Sequence, residues 1–134
     1  MIKFRAWDKR NKAYLYDVQN ASDMFSDVRY ENGENADCDE YCFAGFLYDE
    51  RYDTEQFTGL TDANGKDVYE GDIIKSNYKY AQPKVSQIII ENGNSYILGE
   101  DLATGNEMLV SDHISEIKVI GNVHTNPELL EDKR

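Results

Sequence analysis

The chain has 134 residues, 40% hydrophobic and 12% aromatic, which suits one globular domain and excludes a disordered or fibrous chain. Its formal net charge is -12, its mean hydropathy is -0.70, and no apolar run nears the roughly 18 residues of a membrane helix, so a spanning protein and a basic nucleic-acid binder are both disfavoured. Lys3, Arg5 and Asp8 stand where a signal peptide needs an apolar stretch, and two cysteines are too few to staple a domain of this size, so a cytoplasmic chain with reduced thiols is expected.

Residues 2–7 alternate apolar and polar side chains as a half-buried strand does, residues 8–12 are a polar turn, and residues 13–16 form the returning strand. Ser22 or Asp23 can cap a short helix carrying Met24, Phe25 and Val28, before a turn at residues 31–35. Residues 41–48 are an apolar run of strand length, read as buried, with a short helix as the alternative. Residues 56–58 read as a strand, 62–65 as a turn rich in residues that accept positive φ, and 68–69 as its return.

Glu70-Gly71-Asp72 is a tight corner of the kind that opens many small barrels, and residues 73–78 are the strand after it. Asn92-Gly93, between β-branched runs, is the strongest hairpin signal in the chain; a two-residue loop sets Glu91 opposite Asn94, Ile89 opposite Tyr96 and Ile88 opposite Ile97. A polar loop over 99–106 leads to a short strand at 107–110 and a long one over 114–123, bent at Gly121. Asn126 then caps a last helical turn with Pro127 at its first position, Leu129 and Leu130 docking it on the body, and residues 131–134 fray.

The charge is unevenly placed. Residues 17–55 hold 12 acids and two bases, a local -10, whereas residues 1–12 carry Lys3, Arg5, Lys9, Arg10 and Lys12 against Asp8. Such a run is first of all a solvated face; its functional reading is an acidic surface for a basic partner. The signals for chemistry are weak. Asp62 and Asn64 invite comparison with a calcium loop, but Asp67 stands where that loop needs glycine. Glu70 and Asp72 are better explained as corner residues than as an acid–base pair, and Cys38 and Cys42 have no second ligand pair nearby. His113 and His124 read as surface or packing residues, and Trp7, Tyr14, Tyr16 and Tyr69 either line an aromatic groove or pack a sheet face.

Three collinear pieces carry a resemblance. They are Phe4-Arg5-Ala6-Trp7-Asp8; then Thr58-Gly59-Leu60, Asp62, Asn64-Gly65-Lys66 and Tyr69-Glu70-Gly71-Asp72-Ile73; and last Val119-Ile120-Gly121-Asn122-Val123 with Asn126-Pro127-Glu128-Leu129-Leu130. Together they resemble the YopX family of small phage and prophage proteins; residues 17–55 lie outside the match. The resemblance implies a largely β protein whose C-terminal half is a small barrel of SH3-like character, encoded by a phage and made in bacterial cytoplasm. It carries over no catalytic residue.

The expected fold is therefore mainly β with a minor α part: one domain over 1–134, with an N-terminal hairpin and irregular acidic segment to residue 55, and a partly open barrel over 56–134 closed by a short terminal helix. The expected function is that of a non-enzymatic accessory protein binding a host or phage protein through its acidic surface. Asp37, Asp39, Glu40, Asp49, Glu50, Trp7 and Tyr69 are the candidate partner-binding residues, and no cofactor, metal or catalytic residue is expected. The alternatives are a small metal-dependent hydrolase using Glu70, Asp72 or a histidine, and a nucleic-acid-associated barrel using the basic start. Exposed strand edges leave self-association open.

Overall fold

The computed structural model describes residues 3–21, 28–34, 43–76, 84–98 and 108–131. The helix expected over 22–28 (Val28 excepted), the acidic stretch 37–40, the loop 99–106 and residues 132–134 lie outside the described residues. The chain divides into two compact units, Met1–Phe57 and Thr58–Arg134. It is mainly β: ten strands form two open five-stranded sheets, every described ladder is antiparallel, and among the described residues neither sheet closes into a barrel.

In the first unit, β1 (Phe4–Asp8) and β2 (Ala13–Tyr16) form the expected hairpin, with Trp7 opposite Tyr14 and Asp8 opposite Ala13. A 3-10 turn at Val18–Asn20 leads on, and a two-residue strand, β3 (Arg29–Tyr30), adds to the free side of β2. Helix α1 (Phe43–Tyr48) precedes β4 (Tyr52–Thr61), which pairs with β1 along Phe4–Asp8. Alternation sends Ala6 and Leu15 to one face, where they meet Val18, Ala21, Val28, Phe46 and Tyr52 in a single apolar cluster.

The apolar run before β4 is thus a helix, which corrects the strand reading. Its pattern fits both periods, and packing decides: Phe43 and Phe46, three residues apart, reach Phe4 at 4.9 Å and Tyr52 at 4.7 Å between ring centroids. Thr54 Oγ1 donates to the Phe46 carbonyl at 2.9 Å and pins the helix to β4. Only Phe46 is buried in α1, so the expectation of a wholly buried run also fails.

In the second unit, the end of β4 turns back into β5 (Asp67–Tyr69), and the sheet order is β10-β6-β7-β8-β9, from β6 (Asp72–Ser76), β7 (Lys84–Glu91), β8 (Asn94–Ile97), β9 (Met108–Leu109) and β10 (Ile117–Asn122). The β7–β8 hairpin has the expected register, including Ile89 opposite Tyr96 and Ile88 opposite Ile97. Asn92 at φ 52° and Gly93 at φ 83° supply the two left-handed residues that a two-residue turn requires. Val68, Ile74, Ile88, Ile97, Val110 and Ile117 form the core.

Two details differ from expectation. Residues 110–116 are helical, as α2 (Val110–His113) and a 3-10 turn (Ile114–Glu116), and β10 begins only at Ile117. Packing gives the reason: Val110, Ile114 and Ile117, spaced at i, i+4 and i+7, all pack into the core of the second unit. The last helix, α3 (Glu128–Glu131), forms and lies against β7, but the Asn126 carboxamide oxygen turns back to accept from the Asn122 N–H at 3.3 Å rather than capping α3.

Candidate functional site

The polar groups of the described residues gather in a few clusters. In the first, Asp8 ends β1 and is fully buried, and strand pairing brings residues 51–53 beside it. Arg51 grips its carboxylate with two bonds, Nε to Oδ1 at 2.9 Å and a terminal nitrogen to Oδ2 at 2.8 Å. The backbone N–H groups of Arg10 and Asn11 donate to Oδ1 at 3.0 and 3.3 Å. Burial pushes the Asp8 carboxyl up, but these donors and the Arg51 charge outweigh it and hold the carboxyl below the ordinary aspartate value. The outcome is a carboxylate locked in a turn.

On the sheet face opposite the apolar cluster, Arg5 stands across from Glu55. Arg5 Nε donates to Glu55 Oε1 at 2.8 Å, Tyr14 Oη donates to the same oxygen at 2.9 Å, and the guanidinium lies 4.3 Å from the Tyr14 ring centroid. The two charged side chains are 5% and 8% exposed, so this is a buried ion pair. Trp7 meets Tyr14 edge-on at 5.0 Å. Of the N-terminal cations, Lys3 sits 4.3 Å over the Phe57 ring, and Lys9 reaches Asp53 at 3.3 Å and the Glu50 carbonyl at 2.9 Å.

In the second unit, Asp62 closes the turn between β4 and β5. Its Oδ1 accepts from the N–H groups of Asn64 at 2.8 Å and Lys66 at 2.9 Å, and its Oδ2 accepts from Val119 N–H of β10 at 2.8 Å. Burial again works against the charged form and is outweighed by the three backbone donors and Lys66, so the carboxyl is held below the usual value. At the next corner, Asp72 is buried and its Oδ2 accepts from Tyr69 N–H at 2.8 Å, with Glu70 half-buried beside it. Both aspartates act as turn residues, as expected from the glycines around them.

The sequence-predicted partner residues are scattered. Asp37, Asp39 and Glu40 lie outside the described residues, as do Cys38 and Cys42. Glu50 is exposed; Asp49 is half-buried and its Oδ1 caps the Arg51 N–H at 2.9 Å. Trp7 and Tyr69 are buried, at 7% and 5% exposure. Glu31 and Glu34 are exposed beside β3. Among the described residues no three His, Cys, Asp or Glu side chains gather as a metal site, and no helix is long and apolar enough to cross a membrane. Sequence reasoning missed the Arg5–Glu55 pair and the Arg51 grip on Asp8, because both arise from pairing of β1 with β4 some 40 residues or more away. A charged residue inside an alternating strand, as Arg5 is, was the available signal.

Comparison with known proteins agrees with this architecture. The family model described as YopX protein matches residues 3–131. The chain is similar to the crystal structure of protein EF1440 from Enterococcus faecalis, with 28% identity and a TM-score of 0.60 over 97% of this chain and 98% of that one. It also shares its fold with the X-ray structure of protein yopX from Bacillus subtilis, with 16% identity and a TM-score of 0.52 over 95% and 96% of the two chains. Among curated proteins none matches.

Proposed function

The chain belongs to the YopX family, and on that premise we propose that it is a non-enzymatic accessory protein of phage or prophage origin. In this reading it works in bacterial cytoplasm by binding a basic partner protein through an acidic surface. The observation that carries the reading is charge placement: 12 acids against two bases over residues 17–55, with Glu31, Glu34 and Glu50 exposed. Such a field steers a basic partner and rejects an acidic one.

The arrangement of the other charges supports it. Of the five N-terminal bases that a nucleic-acid reading would use, Lys3, Arg5 and Lys9 are engaged inside the first unit, which leaves Arg10 and Lys12 exposed. Asp72, which a hydrolase reading would use with Glu70 or a histidine, serves the Tyr69 backbone N–H. We read the second unit as a partly open barrel of SH3-like character. Its support is the strand order β10-β6-β7-β8-β9, which is 5-1-2-3-4 counted from β6, and the 3-10 turn before the last strand.

The test is affinity capture from phage-infected bacterial lysate at low and at moderate salt. The reading expects a basic protein that is retained by the unaltered chain and lost with Glu31→Lys/Glu34→Lys/Glu50→Lys. Recovery of no partner at either salt, or equal recovery by the charge-reversed chain, would sink it.

A further inference from the structure

Helix α1 presents two unlike faces. Phe43 and Phe46 turn into the core of the first unit, whereas Ala44, Leu47 and Tyr48, spaced at i, i+3 and i+4, share the other face and are exposed. Leu47 is 48% and Tyr48 85% exposed, the highest values among the large apolar side chains described. A single exposed leucine is ordinary; an apolar strip on one helix face is the geometry by which amphipathic segments are received. Its flanks are of one sign in sequence: residues 37–50 hold Asp37, Asp39, Glu40, Asp49 and Glu50 and no base. Of the cations beyond its C-terminal end, Arg51 is gripped by Asp8, and Lys9 is held by Asp53 and the Glu50 carbonyl. Arg10 and Lys12 remain exposed on the β1–β2 turn.

We propose that the Ala44–Leu47–Tyr48 face docks a basic amphipathic segment of a partner protein. The inference rests on the acidic-surface reading and narrows it to one helix face. The partner's apolar side chains cover Leu47, a lysine or arginine meets Glu50, and a guanidinium lies over the Tyr48 ring. A second copy of the chain is disfavoured as the occupant, because each copy carries a net charge of -12. An acidic or neutral segment lacks the complementary charge.

The test uses the full chain and a fluorescently labelled Lys/Leu helical peptide of about five turns, with a Glu/Leu analogue and a scrambled Lys/Leu peptide as controls, read by anisotropy at about 0.15 M salt. Saturable binding of the amphipathic basic peptide alone is expected, weakened about tenfold or more by Leu47→Ser/Tyr48→Ser and tightened by Arg10→Gln/Lys12→Gln. Circular dichroism confirms that each variant folds. Equal binding of the scrambled or acidic peptide, no binding of the basic one, or binding unmoved by Leu47→Ser/Tyr48→Ser overturns the inference. If Glu31→Lys/Glu34→Lys abolishes basic-peptide binding while Leu47→Ser/Tyr48→Ser leaves it intact, this docking face falls and the acidic-surface reading stands.

Discussion

Asp62 Oδ2 accepts the Val119 backbone N–H at 2.8 Å, joining the β4–β5 turn to an edge strand 57 residues later in the chain. The Ala63 N–H adds a bond to the Ile117 carbonyl at 3.1 Å, so the turn lies along the outer edge of β10. One side chain therefore closes its own turn and supplies a partner to a strand edge that would otherwise invite pairing with another chain.

Replacing Asp62 by alanine removes an acceptor from three backbone donors in a nearly water-free position. Hydrogen bonds to charged groups and the penalty for stranded donors set the loss at about 3 kcal/mol or more. Asp62→Asn keeps one oxygen and should lose about half of that. Urea unfolding followed by far-ultraviolet circular dichroism measures it, since the chain's one tryptophan, Trp7, lies in the other unit. A midpoint unchanged in Asp62→Ala would mean that the clasp contributes nothing.

The same carboxylates set the acid limb of stability. Asp8 and Asp62 are both held below the usual aspartate value of 3.8 in the folded chain. Between the folded and unfolded values the unfolded chain binds more protons, so their contribution is fully present above the unfolded value and is lost as pH falls through the folded one. The net charge of -12 acts in the opposite sense, because acidification from neutrality first relieves self-repulsion. Urea midpoints should thus hold or rise slightly down to about pH 5 and fall steeply below about pH 4. In Asp62→Asn the fall should be shallower; an identical acid limb would remove Asp62 from the account.

How far these features could be read from the sequence depended on how local they are. Asn92-Gly93 fixes its hairpin from two residues, so the pairing of Glu91 with Asn94 and Ile88 with Ile97 was legible in full. Asp62 was legible as a turn residue from Asn64-Gly65, but its bond to Val119 was not, because nothing local marks a partner 57 residues away. The helix at Phe43–Tyr48 was ambiguous in principle: its apolar run fits two periods, and contacts of Phe43 and Phe46 with Phe4 and Tyr52 choose between them. Of the candidate site, the exposure of Glu50 agreed with its charge context, while the burial of Trp7 and Tyr69 depended on packing that no short pattern encodes.

Glu55 Oε1 accepts from both Arg5 Nε and Tyr14 Oη, so a single substitution at Glu55 reaches both partners. Glu55→Ala leaves a buried guanidinium without this carboxylate and should destabilise the first unit by about 3–5 kcal/mol. Arg5→Met/Glu55→Leu removes both charges at similar volume and should recover most of that loss. Trp7, 5.0 Å from Tyr14, reports unfolding by fluorescence. Additive losses in the double variant would show that the two residues do not act as a pair.

Gly121 sits at the β10 bulge, where the register to β6 shifts between Val119 and Gly121. A Cβ placed there would meet Asn126 Oδ1 at 2.6 Å and Asn126 Cβ at 2.9 Å, so the obstacle includes the root of that side chain as well as its mobile end. Gly121→Ala should therefore cost about 1–3 kcal/mol, as overpacking does. Adding Asn126→Ala removes the carboxamide but leaves its Cβ, and also takes away the acceptor of the Asn122 N–H, so it should relieve the clash only in part. Adding Asn126→Gly should relieve it further. Coupling measured by urea unfolding of the single and double variants decides the matter: strict additivity of Gly121→Ala with both Asn126 substitutions would rule out the close approach as the reason for glycine at this position.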